Sequence, residues 1–328
     1  MNDKMITVVV PMYNEEEVAL ICYKRLKEIL EEIEYTYEII FVNDGSKDKT
    51  LEIIEKISNE DNKVKVISFS RNFGHQAAVT AGLREKEGDA VVIIDADMQD
   101  PPELIKDMIK LWEDGNEVIY AKRKTREGES KFKLLTAKMF YKILNGLSDV
   151  EIPRDTGDFR LVDAKVVDVI NSLPEHNKFL RGLFSWIGFK QIPIEYERKQ
   201  RAAGKTKYPL NKMVKLALDG IIGFSIKPLK IIGGLGLISI LISILILIYS
   251  IISFIFKLNQ LTAGWTSIMV TVTFFTGIQL LGIWILSEYI GRIYDEVKQR
   301  PEYIIDKREQ KKWNYYCTLV AHLVVYTA

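Results

Sequence analysis

The first part of the chain alternates short runs of β-branched residues with longer stretches in which apolar residues recur at helical spacing. Four short runs predict strands, namely MITVVV, YEIIFV, VKVISF and AVVIID. Between the first two, EEVALICYKRLKEILEEI has its apolar residues three or four positions apart, as in an amphipathic helix. Such alternation is typical of a mostly parallel sheet with helices on both faces. We therefore predict an α/β domain over residues 1–208.

Two long uncharged runs follow, over residues 231–256 and 265–287. Each is long enough to cross the roughly 30 Å of bilayer hydrocarbon. Their short linker makes them a predicted transmembrane hairpin within residues 230–290. Both outer flanks of the hairpin are basic, whereas the linker has only Lys257, so the positive-inside rule predicts a cytoplasmic N-terminal domain and a cytoplasmic tail over 291–328. The alternative, two buried helices of a soluble protein, conflicts with their length and lack of charge.

The stretch before the hairpin predicts a contact with the membrane surface. Residues 209–229 mix Lys212, Lys215 and Asp219 with apolar residues such as Met213. This pattern is typical of an amphipathic helix lying in the interface.

Composition and charge exclude several classes of protein. A net charge of +1 argues against a general nucleic-acid-binding protein. The two cysteines, Cys22 and Cys317, are far apart and predict neither a disulfide framework nor a zinc site. The N-terminal residues MNDKMITVVVPMYN predict no signal peptide.

Polar and acidic residues follow three of the predicted strands, in PMYNE (11–15), NDGS (43–46) and DADMQ (95–99). A parallel sheet brings these strand ends to one edge, where open α/β sheets bind ligands. Carboxylates that converge with an amide oxygen suit Mg²⁺ or Mn²⁺, although Asp and Pro are also ordinary turn residues. Neither GxGxxG after the first strand nor GxxxxGK[ST] is present, so a dinucleotide fold and a P-loop are not supported.

Five segments in a fixed order carry a resemblance to a known family: VVVPMYNEEE, FVNDGSKDKT, SRNFGHQAAVTAGL, DADMQDPPEL and DTGDFRLVD. Together with the hairpin, they resemble the inverting family 2 glycosyltransferases. These have a GT-A fold, a Rossmann-like and mostly parallel sheet with helices on both faces. Within the family the chain is most similar to the bacterial polyprenyl-phosphate glycosyltransferases, relatives of dolichol-phosphate mannose synthase.

The resemblance implies an enzyme of the bacterial plasma membrane that transfers one sugar from a nucleotide-sugar donor to a polyprenyl phosphate, with inversion and with Mg²⁺ or Mn²⁺. UDP-glucose is the first choice of donor, UDP-N-acetylglucosamine the second, and undecaprenyl phosphate the acceptor. The product would be a lipid-linked sugar for glycosylation of the cell envelope. The alternatives are a family 2 enzyme with a non-lipid saccharide acceptor, or a GDP-mannose enzyme like dolichol-phosphate mannose synthase.

The resemblance also implies roles for individual residues on the donor side. Those that border the nucleotide base or ribose are Pro11, Tyr13, Glu15 and Asp44. Those that hold the metal and the donor diphosphate are Asp95, Asp97 and Gln99. Asp97 is also assigned to catalysis together with Asp158, which either orients a substrate or acts as a base. For Asp44, a plain turn in NDGS is the alternative, and His75 fits a hydrogen-bonded scaffold residue better than a donor contact.

Two basic segments are expected to serve the acceptor. A lipid phosphate is already an anionic nucleophile, so it needs positioning and charge neutralisation more than a strong base. The residues that match the acceptor phosphate site are Arg123, Arg126, Ser130, Lys131 and Lys138, unless they form a solvated basic helix face. Residues 197–212 resemble a mobile acceptor loop, in which Arg201 and Lys205 are expected to reach the donor. A polybasic contact with the membrane surface is the other interpretation.

Two other classes of protein fit the sequence less well. A processive polysaccharide synthase would need a QxxRW motif, which is absent, and more than two spans. A non-catalytic module would lack some of the acids, yet the whole set is present. Small residues in LGLISILIS predict packing between copies of the hairpin, and hence a homo-oligomer.

Overall fold

The computed structural model of the chain describes residues 4–124, 153, 156–175, 178–197, 222–223, 225–256 and 264–309. These residues form two compact units. The first contains a β-sheet and the helices that cover it, and it includes residues 301–309. The second contains two long helices between residues 225 and 300.

The first unit is built on an eight-stranded sheet. Its strands are β1 (Met5–Met12), β2 (Thr36–Asn43), β3 (Val64–Phe69), β4 (Ala90–Ile93), β5 (Val118–Arg123), β6 (Thr156–Asp163), β7 (Gln191–Tyr196) and β8 (Ile305–Glu309). The strand order is β7-β5-β6-β4-β1-β2-β3-β8. Strand β1 pairs in parallel with β2 and β4, as do β2 with β3 and β5 with β7, whereas β6 and β8 are antiparallel to their neighbours. The predicted mostly parallel sheet is confirmed.

Helices connect and cover these strands. In the first unit they are α1 (Ala19–Glu31), α2 (Thr50–Glu60), α3 (His75–Arg84), α4 (Leu104–Glu113), α5 (Ala164–Ser172) and α6 (Leu180–Trp186). The apolar face of α1 is buried at helical spacing, through Cys22, Leu26 and Ile29 among others. This is the face that its sequence periodicity predicts.

Burial on both faces explains the apolar runs of the central strands. All residues of β4, and all of β1 except Met5, are buried, as expected for parallel strands that have helices on each side. Helix α3 lies very close to β1, since a Cβ added at Gly82 would be 2.2 Å from Cγ1 of Val9. The close packing fixes the position of α3 and therefore of His75, its first residue.

Strand β8 lies within residues 291–328, the predicted C-terminal tail. It pairs with β3, with Arg308 opposite Ile67. Just before it, the ring of Tyr303 stacks on that of Phe69 with centroids 4.8 Å apart, and the guanidinium of Arg84 lies over Tyr303. Residues 305–309 therefore complete this edge of the sheet.

The second unit consists of α7 (Lys227–Ile255) and α8 (Trp265–Val297). The helices pack together, because a Cβ added at Gly282 would be 3.1 Å from Cγ2 of Ile232. Both predicted hydrophobic runs are thus helical. Among the described residues, one helical stretch, Phe274–Val297, is long and apolar enough by length and composition to cross a membrane. A crossing by both helices stays a prediction.

Candidate active site

The segment after β1 lies at the edge where the parallel strands end. Pro11 is buried within β1, and Tyr13 and Glu15 are half-buried just beyond it. The backbone N–H of Glu15 donates to Oγ1 of Thr50 at 2.8 Å, which ties this segment to the start of α2. Asn14 has a φ of 52°, a left-handed conformation that asparagine adopts more readily than most residues. The three residues predicted to border the donor base thus lie at one edge of the sheet.

The turn after β2 is stabilised by Asn43, the last residue of the strand. Its Oδ1 accepts a hydrogen bond from the N–H of Ser46 at 3.1 Å. Gly45 has a φ of 63°, and a Cβ there would be 2.3 Å from the carbonyl carbon of Arg71. The backbone of the turn therefore touches the segment that precedes α3.

The carboxylate of Asp44 holds that same segment. Its Oδ1 accepts from the N–H of Phe73 at 2.6 Å, and its Oδ2 accepts from Nδ2 of Asn72 at 2.8 Å and from the N–H of Gly74 at 3.0 Å. Gly74 has a φ of 104°, which glycine adopts without a steric penalty. Burial raises the pKa of Asp44, while the two backbone donors act in the opposite direction. Asp44 therefore fixes the backbone that delivers His75.

The DADMQD segment turns sharply after β4. Asp95 and Asp97 are half-buried, and the N–H of Gln99 donates to Oδ1 of Asp97 at 3.1 Å. Met98 has a φ of 55°, an uncommon backbone conformation for methionine, of the kind found at functional sites. The Oε1 atom of Gln99 is buried without a hydrogen-bond partner among the described residues. A buried acceptor in this state needs a ligand or a water molecule.

Side chains from three separate elements, α3, β6 and α6, meet beside Asp95 of this segment. Nε2 of His75 lies 3.0 Å from Oδ2 of Asp158 and 3.7 Å from Oδ1 of Asp95. On its other side, Asp158 accepts two hydrogen bonds from Arg181, at 2.7 Å from Nε and 3.0 Å from Nη2. Asp158 is therefore held between two donors, and His75 bridges it towards Asp95.

This arrangement separates the pKa values of the two acids. Burial opposes ionisation of Asp158, but the charge of Arg181 and the hydrogen bonds from Arg181 and His75 hold its pKa well below the usual range. Burial, opposed by His75 but aided by the charges of the nearby acids, raises the pKa of Asp95 to about 6. Burial disfavours protonated His75, yet its bond to Asp158 and both acidic charges raise its pKa to about 9. At neutral pH the cluster therefore contains cationic His75 and ionised Asp158.

A second chain of contacts reaches the same segment from β5 and β7. Nε of Arg123 donates to Oη of Tyr196 at 3.2 Å, and this hydroxyl donates to Oδ1 of Asp100. Asp100 directly follows Gln99 and is 2% exposed. Arg123, one of the residues predicted to bind the acceptor phosphate, is thereby connected to the acidic segment after β4.

The family model for glycosyl transferase family 2 matches residues 7–170, and relatives agree over nearly the whole chain. The uncharacterized glycosyltransferase YkcC of Bacillus subtilis (strain 168) is 53% identical over 303 residues, which cover 92% of this chain and 93% of the relative. The chain belongs to glycosyl transferase family 2. Its resemblance to this family is confirmed, and the protein is a glycosyltransferase.

A second relative has a more specific name. The bactoprenol glucosyl transferase of Shigella phage SfV is 44% identical to this glycosyltransferase over 306 residues, covering 93% of this chain and 99% of the relative. Among solved structures, glucosyl-3-phosphoglycerate synthase from Mycobacterium tuberculosis, in complex with Mn²⁺, UDP-glucose and phosphoglyceric acid, is 20% identical. That comparison covers 67% of this chain and 78% of the other, with a TM-score of 0.43.

The acidic segment of the glycosyltransferase fits a divalent cation. Within the described residues, no group of three or more His, Cys, Asp or Glu side chains is arranged to hold a metal ion. Asp95 and Asp97 supply two carboxylates, however, and Gln99 a buried, unpartnered oxygen. Mg²⁺ typically binds one or two carboxylates and completes its shell with water and substrate phosphates. Burial, together with the charges of the neighbouring acids, raises the pKa of Asp95, and a bound cation would favour its ionised form.

Sequence reasoning missed Arg181, Tyr196 and Asp100. Arg181 lies in an apolar stretch, LRGLFSW, and Tyr196 ends an edge strand, so neither belongs to a polar motif. Asp100 does follow the acidic motif directly, which was the available signal. His75, interpreted as a scaffold residue, lies among the acids. Several predicted residues lie outside the described part of the chain: Arg126, Ser130, Lys131, Lys138, Arg201 and Lys205.

Proposed function

We propose that this glycosyltransferase moves one sugar from a nucleotide-sugar donor to a polyprenyl phosphate, with inversion at the anomeric carbon. UDP-glucose is the preferred donor and undecaprenyl phosphate the preferred acceptor. The observation that carries the proposal is the meeting of the acidic segment after β4 with His75, Asp158 and Arg181, and with Arg123 on its other side. The relatives named bactoprenol glucosyl transferase support a lipid acceptor and glucose as the sugar.

The donor would bind at the strand ends. We assign the base and ribose to Pro11, Tyr13, Glu15 and Asp44, and the diphosphate to the segment that contains Asp95, Asp97 and Gln99. The carboxylate of Asp44 accepts hydrogen bonds from the 72–74 segment. Asp44 would therefore act on a bound nucleotide chiefly by positioning this segment. Asp95, Asp97 and Gln99 would hold Mg²⁺ or Mn²⁺. When bound, this ion would neutralise charge on the departing diphosphate.

Displacement at the anomeric carbon requires no proton transfer to the protein. An oxygen of the lipid phosphate forms a bond to the carbon while the bond from that carbon to the donor diphosphate breaks. The electron pair of the broken bond leaves with the nucleoside diphosphate. Attack from the opposite face inverts the configuration. The protein must therefore align two anionic groups and neutralise their repulsion.

Asp158 suits an orienting role better than that of a general base. Both of its oxygens accept hydrogen bonds from Arg181, and His75 adds another contact. A carboxylate whose pKa is held well below the usual range accepts a proton poorly at neutral pH. We assign to Asp158 the task of fixing His75 and Arg181 beside the donor segment.

The membrane arrangement extends the proposal. The parts of α7 and α8 within residues 230–290 would form the transmembrane hairpin, and residues 209–229 would lie in the membrane interface. Both the catalytic domain (1–208) and the tail (291–328) would lie in the cytoplasm. The apolar stretch Phe274–Val297 supports membrane association. An enzyme anchored there meets a lipid phosphate without extracting it from the bilayer. Association of hairpins into a homo-oligomer is part of the same proposal, and crosslinking in detergent tests it.

A transfer assay tests the reaction. Purified full-length protein in detergent receives radiolabelled UDP-glucose, UDP-N-acetylglucosamine or GDP-mannose, together with undecaprenyl phosphate and Mg²⁺ or Mn²⁺. We expect a labelled glycolipid from UDP-glucose, its loss with EDTA, and its recovery on adding excess metal. NMR of the purified product should show a β-linked sugar, since the donor is α-linked.

Other outcomes would redirect the proposal. A glycolipid formed only from GDP-mannose would overturn the donor assignment and support the mannose alternative. Label that enters a soluble saccharide, with none in the lipid, would overturn the lipid acceptor. Full activity in EDTA would contradict the metal assignment, and an α-linked product would contradict inversion.

A further inference from the structure

The strands β5 and β7 end together at a buried tyrosine. Arg123 and Tyr196, their last residues, lie opposite each other in the parallel pair. The chain continues from these two strand ends into the two basic segments predicted to serve the acceptor. Between the strand ends and the donor segment lies the hydroxyl of Tyr196.

Hydrogen bonding gives this contact a defined direction. The hydroxyl of Tyr196 accepts from Nε of Arg123 and donates to Oδ1 of Asp100. A tyrosine hydroxyl has one proton to donate, so both of its roles are used. Phenylalanine would fill the same space and lose both bonds.

Burial makes the hydrogen bonds of the Tyr196 hydroxyl costly to lose. Tyr196 is 4% exposed and Asp100 is 2% exposed, so water does not readily replace a missing partner. Burial and the charge of Asp100 raise the pKa of Tyr196 to about 12, which keeps the hydroxyl protonated and able to donate.

Arg123 and Asp100 both lie beside Gly157, which has no side chain. A Cβ added at Gly157 would be 3.4 Å from Nη2 of Arg123 and 3.6 Å from Oδ2 of Asp100. The outer part of the guanidinium and the carboxylate of Asp100 thus both border Gly157, while Nε is held by Tyr196. This places the guanidinium next to the DADMQD segment.

We propose that Tyr196 is a positioning residue for the acceptor: by linking Arg123 to Asp100, it holds the guanidinium that binds the lipid phosphate at a fixed distance from the donor segment. The inference rests on the proposed function, because it needs Arg123 to bind the acceptor phosphate. Tyr196 itself contacts neither substrate. Its effect is exerted through Arg123.

The test is a comparison of Tyr196→Phe with wild type in the transfer assay, using full-length protein. Loss of a hydrogen bond to a charged group should raise KM for undecaprenyl phosphate about tenfold. The dissociation constant of the nucleotide-sugar donor, measured by titration calorimetry, should stay within about twofold. Tyr37→Phe is the matched control: its hydroxyl is also buried but has no hydrogen-bond partner among the described residues, so KM should not change.

A double-mutant cycle separates positioning from general damage. If Tyr196 acts through Arg123, Tyr196→Phe should add almost nothing to the defect of Arg123→Ala. An additive defect would overturn the inference, as would an unchanged acceptor KM in Tyr196→Phe or a loss of donor affinity as large as the loss for the acceptor.

Asp100→Asn provides a second variant in case Tyr196→Phe folds poorly. Asparagine keeps an oxygen that accepts from the tyrosine hydroxyl, so KM for the acceptor should rise less than about threefold. A tenfold rise in this variant would mean that the charge of Asp100 acts directly, and would overturn the positioning role. Absence of any transfer to lipid phosphate by wild type would instead defeat the proposed function, and this inference with it.

Discussion

Arg181 binds Asp158 through two parallel hydrogen bonds, 2.7 Å from Nε to Oδ1 and 3.0 Å from Nη2 to Oδ2. The two residues come from α6 and β6 and are 23 positions apart in sequence. This fork fixes the plane of the carboxylate, and the carboxylate in turn fixes the imidazole of His75. The geometry of the site thus depends on a residue outside its sequence motifs.

Arg181→Ala should lower kcat by about 10- to 100-fold, because supporting partners of a site typically have effects of this size. Arg181→Lys keeps the charge but loses the fork, so its kcat should lie between those of the alanine variant and wild type. Steady-state kinetics of the three proteins test this. Equal activity of Arg181→Lys and wild type would mean that charge alone matters.

Asp97→Asn should lower transfer by on the order of 1000-fold with the fold intact, since it removes a charge that would help to hold the cation at the diphosphate. Binding of Mn²⁺ in the presence of UDP, followed by electron paramagnetic resonance, should weaken in parallel. Asp114→Asn, at the exposed end of α4, is the matched control and should behave like wild type. Near-normal transfer by Asp97→Asn would contradict the metal assignment.

Gly45→Ala should destabilise the protein by about 2 to 4 kcal/mol, because it combines a left-handed residue with a steric clash. The added Cβ would be 2.3 Å from the backbone of Arg71, so the segment that leads to His75 must shift and activity should fall. Gly115→Ala is the matched control, because Gly115 also has a positive φ, of 82°, but no atom lies within 4 Å of the added Cβ. It should lose only about 1 kcal/mol and keep its activity.

Thermal unfolding and the transfer assay on both glycine variants test this pair. If the two variants lose equal stability, the clash between the added Cβ at position 45 and the backbone of residues 71–72 does not destabilise the protein. The proposed support of His75 by the β2 turn would then be wrong.

Asp61 should make the free energy of unfolding depend on pH under acidic conditions. Burial favours its protonated form, but hydrogen bonds from Lys27, Tyr23 and the backbone N–H of Lys63 lower its pKa below the usual 3.8. Its contribution is therefore fully present above the unfolded-state pKa and is lost as pH falls through the lower folded-state pKa.

Asp61→Asn removes this dependence. The stability difference between wild type and variant should stay constant above about pH 5 and shrink below about pH 4. Chemical unfolding of both proteins from pH 7 to pH 3 measures it. A difference that stays the same down to pH 3 would show that Asp61 has no lowered pKa in the folded protein.

The sequence by itself determined the local elements and the family. The β-branched runs around Val8, Ile40 and Val92 predict central strands because such residues are buried on both faces of a parallel sheet. The acids Asp95 and Asp97 stand out because they directly follow one of these runs. These features depend on neighbouring residues, and a single sequence displays such patterns directly.

Only the tertiary structure decided which distant side chains meet. Packing of the helices against the sheet brings Arg181 to Asp158 and the Tyr196 hydroxyl to Asp100, 96 positions away in sequence. It also directs the carboxylate of Asp44 to the 72–74 segment and pairs β8 with β3, which lies far from it in sequence. Such pairings follow from the burial and hydrogen-bonding needs of the assembled fold, which local periodicity does not encode.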